Sequence, residues 1–288
     1  MKIIESKKEK PTKTDIIRPK LKPFFSLIKE TLKEGWQNLR KLLGIFFRVA
    51  LWSIGASILV VVVIWFVKLL LIATIEGSQE SQVFLVINIV MNILFVLIFA
   101  YFISRGILAI FYLLKNDYKK TSKESYQQSK KSALIFVGLQ FTIITLFLFF
   151  SMLLVGIFSY IHYILAVSAI LVVNTSFCVY YMLAVYVFFF EEKRGVEIFI
   201  RSQELVRNYS WQVFFYILGL SMIIGLATLF IEIFFNLITY LGPESLNELI
   251  FRVANLTLLS FSVIAYLLAP IFFYKLYQDL VRIKRRSN

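Results

Sequence analysis

The chain has 288 residues, of which 59% are hydrophobic and 17% charged, whereas a soluble domain typically has roughly 45–50% apolar and about 25% charged residues. Its apolar runs exceed the roughly 18 residues that cross a bilayer as a helix, so the composition excludes an ordinary soluble globule and indicates an integral membrane protein. The 31 Lys and Arg against 17 Asp and Glu give a formal charge of +14. One Cys and one His leave no disulfide and no metal-ligand cluster, and we expect no metal, no cofactor and no nucleic-acid partner.

The chain opens with a polar, basic segment that is too long for the charged region of a secretory signal, so no cleaved signal is expected. Residues 1–23 contain three prolines and many lysines, a composition that predicts a disordered cytoplasmic arm. Residues 24–275 form the predicted membrane domain, and residues 276–288 form a basic cytoplasmic tail.

A first helix is predicted at the start of the membrane domain, over residues 24–43. Its apolar residues recur at steps of three or four, from Phe25 through Leu32 and Trp36 to Leu43, with charged residues between them. Such a helix either lies in the headgroup plane, with Trp36 at the interface, or packs against the bundle. The sequence leaves both alternatives open.

Six apolar segments follow, each bounded by charged or turn-forming residues. They are apolar on all sides and continuous, which predicts six membrane-spanning helices and excludes the alternating strands of a barrel. The spans are expected at residues 44–67, 83–104, 134–158, 163–190, 211–235 and 253–274.

Basic residues are concentrated in alternate loops. Residues 1–48 hold 13 Lys and Arg, residues 115–131 hold six, residues 191–210 hold four and residues 275–286 hold five. Positive loops stay on the cytoplasmic side, so a multi-pass protein with cytoplasmic N- and C-termini is predicted.

Two of the basic segments match at an offset of 90 residues, Thr31 to Gln37 against Thr121 to Gln127. In both, a Thr precedes a Glu by three positions, the spacing of a capping box. A third segment at 201–207 fits loosely. The interpretation is an all-α protein with three repeats of a cytoplasmic interfacial helix plus a membrane hairpin, and the alternative is six spans with incidentally basic loops.

The residues after the fourth span form the most distinctive motif, Phe188 to Gly195 (FFFEEKRG) followed by Arg201, Ser202 and Trp211. This motif resembles a bacterial six-span family, the membrane domain attached to some glycerophosphoryl diester phosphodiesterases and their stand-alone relatives. The resemblance implies three helix-plus-hairpin units over residues 24–275 and a bacterial cytoplasmic membrane. Phosphodiesterase activity belongs to a separate soluble barrel, so the resemblance implies no such activity here.

Polar residues inside the spans form a first candidate site, because intramembrane charges are costly. The residues that could line an outward-facing polar cavity are Lys68, Asn88, Asn92, Asn174, Glu232 and Asn236. The alternative is that the amides make interhelical hydrogen bonds. Arg105 is expected to extend to the cytoplasmic boundary.

Catalytic motifs are missing from the sequence, and the adjacent Glu191 and Glu192 fit a solvated helix start better than acid–base chemistry. We therefore expect a non-enzymatic protein that binds or organises lipid or a membrane partner, such as a protein or a second copy of the chain, through basic interfacial helices. A small-molecule or lipid transporter is the alternative. The candidate contacts to anionic headgroups are Lys29, Lys33, Arg40, Lys41, Lys130, Lys131, Arg201 and Arg207.

Overall fold

The computed structural model describes residues 20–74, 80–158, 175–177, 179–241 and 247–287, and these residues contain helices and turns but no strand. The helices are α1 (Phe24–Gln37), α2 (Leu39–Thr74), α3 (Glu80–Lys115), α4 (Ser122–Phe158), α5 (Ala184–Phe190), α6 (Val196–Val206), α7 (Ser210–Leu241) and α8 (Asn247–Ser287). The predicted all-α class is confirmed.

Five of these helices, α2, α3, α4, α7 and α8, are long and apolar enough to cross a membrane. The shortest of them, α7, has 32 residues and extends about 48 Å at about 1.5 Å per residue, more than the roughly 30 Å of hydrocarbon. Helices suit these runs of Val, Ile and Phe because lipid offers no partner to a backbone N–H. The first part of the fourth expected span, residues 163–174, lies outside the described residues, whereas 175–177, 179–181 and α5 are helical.

The helices pack most closely at one end of the bundle, which we call the basic end. It comprises α1, the turn at residues 116–121 between α3 and α4, the corner between α5 and α6, and the C-terminal part of α8. Its core includes Leu108, Phe111, Phe136 and Leu276, all buried. In contrast, the most apolar stretch of α7 has no buried residue, so the helices away from this end present apolar surface suited to lipid.

The central helix at the basic end is α8, which contacts α1, α2, α3, α6 and α7. Close approach depends on Gly106 of α3, where a Cβ would lie 2.7 Å from Val49 of α2 and 2.8 Å from the hydroxyl of Tyr266 of α8. The C-terminal part of α8 stays helical through the segment expected as a tail, and it buries Leu280 and Ile283.

The polar segments that precede α2 and α4 differ in whether they form a separate helix and in how that helix begins. A one-residue break at Asn38 separates α1 from α2, whereas α4 runs unbroken from Ser122. The predicted capping box at α4 is confirmed, because the Thr121 amide donates to Glu124 Oε2 at 3.0 Å and the Glu124 amide donates to Thr121 Oγ1 at 3.3 Å. Thr31 instead lies inside α1 and donates to the Leu27 carbonyl, since the apolar pattern there starts earlier.

Candidate functional site

The first interfacial helix, α1, has a packed face that docks on α8. Leu27, Thr31 and Gly35 are buried on this face. A Cβ on Gly35 would overlap the Leu268 side chain of α8, so the small residue permits close helix contact. The packed face fixes how α1 is rotated at the basic end.

A second face of α1 carries large apolar side chains that the protein leaves uncovered. Phe25 and Trp36 are each 78% exposed and Leu32 is also exposed. At about 100° per residue, these side chains point between the packed face and a face that carries Lys29 and Lys33, both exposed. The helix therefore presents an apolar stripe beside a basic one, the pattern of a helix at a membrane surface.

Lys22, just before α1, forms backbone hydrogen bonds to the last two helices, α7 and α8. The Lys22 amide donates to Asp279 Oδ2 of α8 at 2.7 Å, and the Tyr216 hydroxyl of α7 donates to the Lys22 carbonyl at 2.6 Å. The Lys22 amine donates to both carboxylate oxygens of Glu30 at 2.8 and 2.9 Å, and this hydrogen bond and the amine's charge lower the pKa of Glu30. The position of α1 is thus set by hydrogen bonds as well as by packing.

A second short helix, α6, repeats this arrangement. Its residues Ile198, Leu205 and Val206 are buried, while its residues Val196 and Ile200 are exposed. Trp211, in the first turn of α7, is 75% exposed. The basic end therefore carries two short helices with uncovered apolar side chains.

The eight basic residues expected at headgroups fall into two groups. Lys41 and Arg201 have partners within the protein, since the Lys41 amine donates to the Tyr118 carbonyl and the Arg201 guanidinium pairs with Glu191. The others are exposed at the basic end, namely Lys29, Lys33, Arg40, Lys130, Lys131 and Arg207.

The distinctive motif at the end of α5 contributes Glu191 to an ion pair, and this pair stabilises the corner between α5 and α6. Glu191 and Arg201 lie 2.9 Å apart with side chains only 19% and 23% exposed. The Tyr277 hydroxyl of α8 donates to the other Glu191 oxygen at 3.1 Å. The expectation of a solvated Glu191 is therefore wrong, because α6 folds back and places Arg201 against it.

Other residues of the motif stabilise the same corner between α5 and α6. The Ser202 hydroxyl donates to the Tyr180 carbonyl at 2.6 Å, and the ring of Phe190 stacks on Tyr274 with 4.6 Å between centroids. Gly195 has a φ of +57°, a left-handed conformation that glycine adopts without steric cost. The motif thus has a structural role that its residue types alone did not reveal.

A basic cleft of about 760 Å³ lies beside this corner, at the end of α8. The charged residues that line it are Glu191, Arg201, Arg282, Arg285 and Arg286. Across the described part of the chain, no group of three His, Cys, Asp or Glu side chains could hold a metal ion. The cleft offers hydrogen-bond donors to anions.

The candidate polar cavity is placed only in part. Lys68 lies in α2, and Asn88 and Asn92 lie in α3, but their side chains are outside what the structure describes, as is the whole of Asn174. Glu232 and Asn236 are exposed one turn apart on α7, about 33 Å and more from its start at about 1.5 Å per residue. That the six residues line one cavity stays a prediction.

Arg105, which was expected to extend to the cytoplasmic boundary, makes contacts within the protein. Its guanidinium turns toward α4, donating from Nη2 to the Tyr126 carbonyl at 3.1 Å and lying 4.1 Å from the centroid of the Tyr126 ring. The ring and the backbone carbonyl of Tyr126, near the start of α4, thus hold the Arg105 side chain. Sequence periodicity did not predict this partner.

Comparison of the chain with protein-family models, curated proteins and solved structures finds no match.

Proposed function

We propose that this chain is a non-enzymatic integral membrane protein whose basic end binds and organises anionic phospholipid through its interfacial helices. The observation that carries the proposal is the exposed apolar face of α1, Phe25 and Trp36 above all, next to exposed lysines. A helix that served only to pack on the bundle would bury its largest apolar side chains.

Membrane physics explains why lipid is the occupant of that face. Phe25 and Trp36 would enter the boundary between headgroups and acyl chains, while Lys29 and Lys33 would extend to the phosphates. Each Lys or Arg near an anionic leaflet contributes on the order of 1 kcal/mol. The exposed apolar side chains of α6 and the exposed Trp211 would extend the same contact to the other side of the basic end.

The proposal includes six spans, cytoplasmic termini and three helix-plus-hairpin units, as in the six-span family that the motif resembles. Support comes from the charge distribution and from α1 and α6, each of which precedes a long helix after a short break. The second of the three basic segments is the first part of α4, which begins at Ser122, and is not a separate helix. This segment would therefore continue from the interface into the membrane without a turn.

Lipid dependence tests the proposed function. The protein is reconstituted in nanodiscs of phosphatidylcholine with or without phosphatidylglycerol, at low and high salt, and the number of phosphatidylglycerol molecules enriched around it is counted. We expect enrichment at low salt, reduced by high salt and by the triple change Lys29→Gln, Lys33→Gln and Arg40→Gln. The control is Arg252→Gln, an exposed arginine at the opposite end. Equal enrichment in the triple variant would refute the proposal.

Orientation has its own test. In a Cys178→Ser background, cysteines placed at Ser78 and Ser245 should react with an impermeant thiol reagent added outside, and a cysteine at the exposed Gln127 should not. The reverse pattern would place the basic end outside the cell.

The alternative of a transporter rests on a cavity around Lys68 and Glu232. Of the six candidate cavity residues, Glu232 and Asn236 lie one turn apart on α7 and are exposed. The observation that favours lipid binding over transport is the exposed apolar face of α1.

A further inference from the structure

Three cationic side chains from three different helices meet at a narrow cleft of about 250 Å³. Arg48 comes from α2, Arg105 from α3 and Lys123 from the first turn of α4. The cleft is lined by Arg48, Trp52, Arg105, Lys123, Tyr126 and Gln127. Since one water occupies roughly 30 Å³, this volume has room for a phosphate group.

Buried donors at this cleft lack acceptors. Within the described part of the chain, Arg48 Nε, Arg105 Nε and the Tyr126 hydroxyl are buried and have no hydrogen-bond partner, and Tyr126 is only 4% exposed. No carboxylate in the same part of the chain forms an ion pair with Arg48, Arg105 or Lys123. Buried polar groups are nearly always bonded, and converging cations repel one another. An anionic acceptor would bond these donors and offset the repulsion.

The cleft is held in shape before any ligand arrives. The Tyr126 ring lies 4.1 Å from the Arg105 guanidinium, and Trp52 stacks on Phe102 of α3. Gly106 lets α2 and α3 approach closely just beside the two arginines. A pre-shaped set of donors loses little freedom on binding, which favours tight binding.

The position of the cleft along α2 and α3 fits the depth of lipid phosphates. Arg48 and Arg105 adjoin the uncharged stretches 49–67 of α2 and 81–104 of α3 on the side of the basic end. These apolar stretches fit the hydrocarbon, and the charges that end them fit the headgroup layer. Trp52 lines the cleft and is exposed, so the cleft is open beside the apolar stretch of α2 and a lipid could enter from that side.

We propose that this cleft binds the phosphate of one anionic phospholipid, with the Arg48 and Arg105 guanidinium groups and the Tyr126 hydroxyl as donors. Arginine forks match phosphate oxygens, and the cluster of positive charge disfavours a choline or ethanolamine headgroup. The inference deepens the proposed function and rests on it for the presence of anionic lipid, but it concerns one retained lipid rather than the exposed surface of α1.

Native mass spectrometry of protein released from phosphatidylglycerol nanodiscs tests the site. We expect one phosphatidylglycerol retained per chain, and about tenfold less retention in Arg48→Gln, because a charge-assisted hydrogen bond is lost. Tyr126→Phe, which removes only a hydroxyl, should reduce retention severalfold and keeps the test valid if Arg48→Gln does not fold. The surface triple variant Lys29→Gln, Lys33→Gln and Arg40→Gln should retain the lipid, so failure of the surface proposal stays distinguishable.

A second arm separates lipid from free phosphate. Thermal unfolding in neutral detergent is measured with added phosphatidylglycerol or inorganic phosphate, and we expect stabilisation by the lipid that Tyr126→Phe diminishes. Equal retention in wild type and both cleft variants would overturn the site. Stabilisation by inorganic phosphate alone would overturn its assignment to lipid.

Discussion

The two adjacent glutamates after α5 allow a test of how burial determines the strength of an ion pair. Glu191 lies 2.9 Å from Arg201 with both side chains about four-fifths buried, and Glu192 lies 3.0 Å from Lys115 with side chains 73% and 42% exposed. Exposed pairs contribute about 0–1 kcal/mol, whereas breaking a fully buried pair costs about 3–5 kcal/mol. With its partial exposure and the bond from Tyr277, Glu191→Gln should cost about 2 kcal/mol, within the range of hydrogen bonds to charged groups.

The assay is unfolding by sodium dodecyl sulfate in mixed micelles, with Glu192→Gln as the matched control. Lys115 lowers the pKa of Glu192 by a hydrogen bond and by its charge, yet water screens this pair, and the control should fall within experimental error of wild type. A double-mutant cycle with Arg201→Gln should show coupling for Glu191. Equal effects of the two Glu→Gln changes would refute the argument that burial, rather than distance, decides the strength of the pair.

Three further changes test the packing of the basic end in the same unfolding assay. Gly106→Leu should destabilise by about 1–3 kcal/mol or more because the added side chain meets α2 and α8, and wild-type stability would contradict the close helix contact. Leu27→Ala on the packed face of α1 should lower the free energy of unfolding by about 2–5 kcal/mol. Phe25→Ala should change it by less than about 0.5 kcal/mol. The opposite order would mean that α1 is rotated. Thr121→Val should cost about 1 kcal/mol by removing the cap of α4, and an unchanged stability would argue against the capping box.

Helix positions were predictable from the sequence because long apolar stretches leave few alternatives in lipid. The expected spans at 44–67, 83–104, 134–158, 211–235 and 253–274 fall within α2, α3, α4, α7 and α8. Their ends were less predictable. The helices extend well beyond the hydrocarbon length at the basic end, where protein packing replaces lipid and the apolar signal ends.

The rotation of α1 could be inferred only in part. Periodicity identified the stripe from Phe25 to Trp36, but two faces of α1 carry apolar or small residues. Leu27, Thr31 and Gly35 make the packed face, and a Gly and a Thr give little hydrophobic signal. The buried face is selected by how closely α8 can approach, which is a property of the folded bundle.

The contacts of the charged residues were the hardest to predict. Ten residues separate Glu191 from Arg201, and 21 separate Arg105 from Tyr126, so neither pair has the spacing of neighbours on one helix. Each contact exists only after a corner or a hairpin has folded. Sequence periodicity carries information within a helix, and these contacts lie between helices.

The depth of Trp36 in the bilayer tests the central claim most directly. A variant with Trp36 as its only tryptophan, made by Trp52→Phe, Trp65→Phe and Trp211→Phe, is reconstituted in vesicles that contain phosphatidylglycerol and lipids brominated at defined acyl positions. If α1 lies in the headgroup plane, shallow bromines should quench Trp36 fluorescence more strongly than deep ones, and aqueous iodide should quench it weakly. Strong quenching by iodide with none by brominated lipid would place α1 in water and contradict the account.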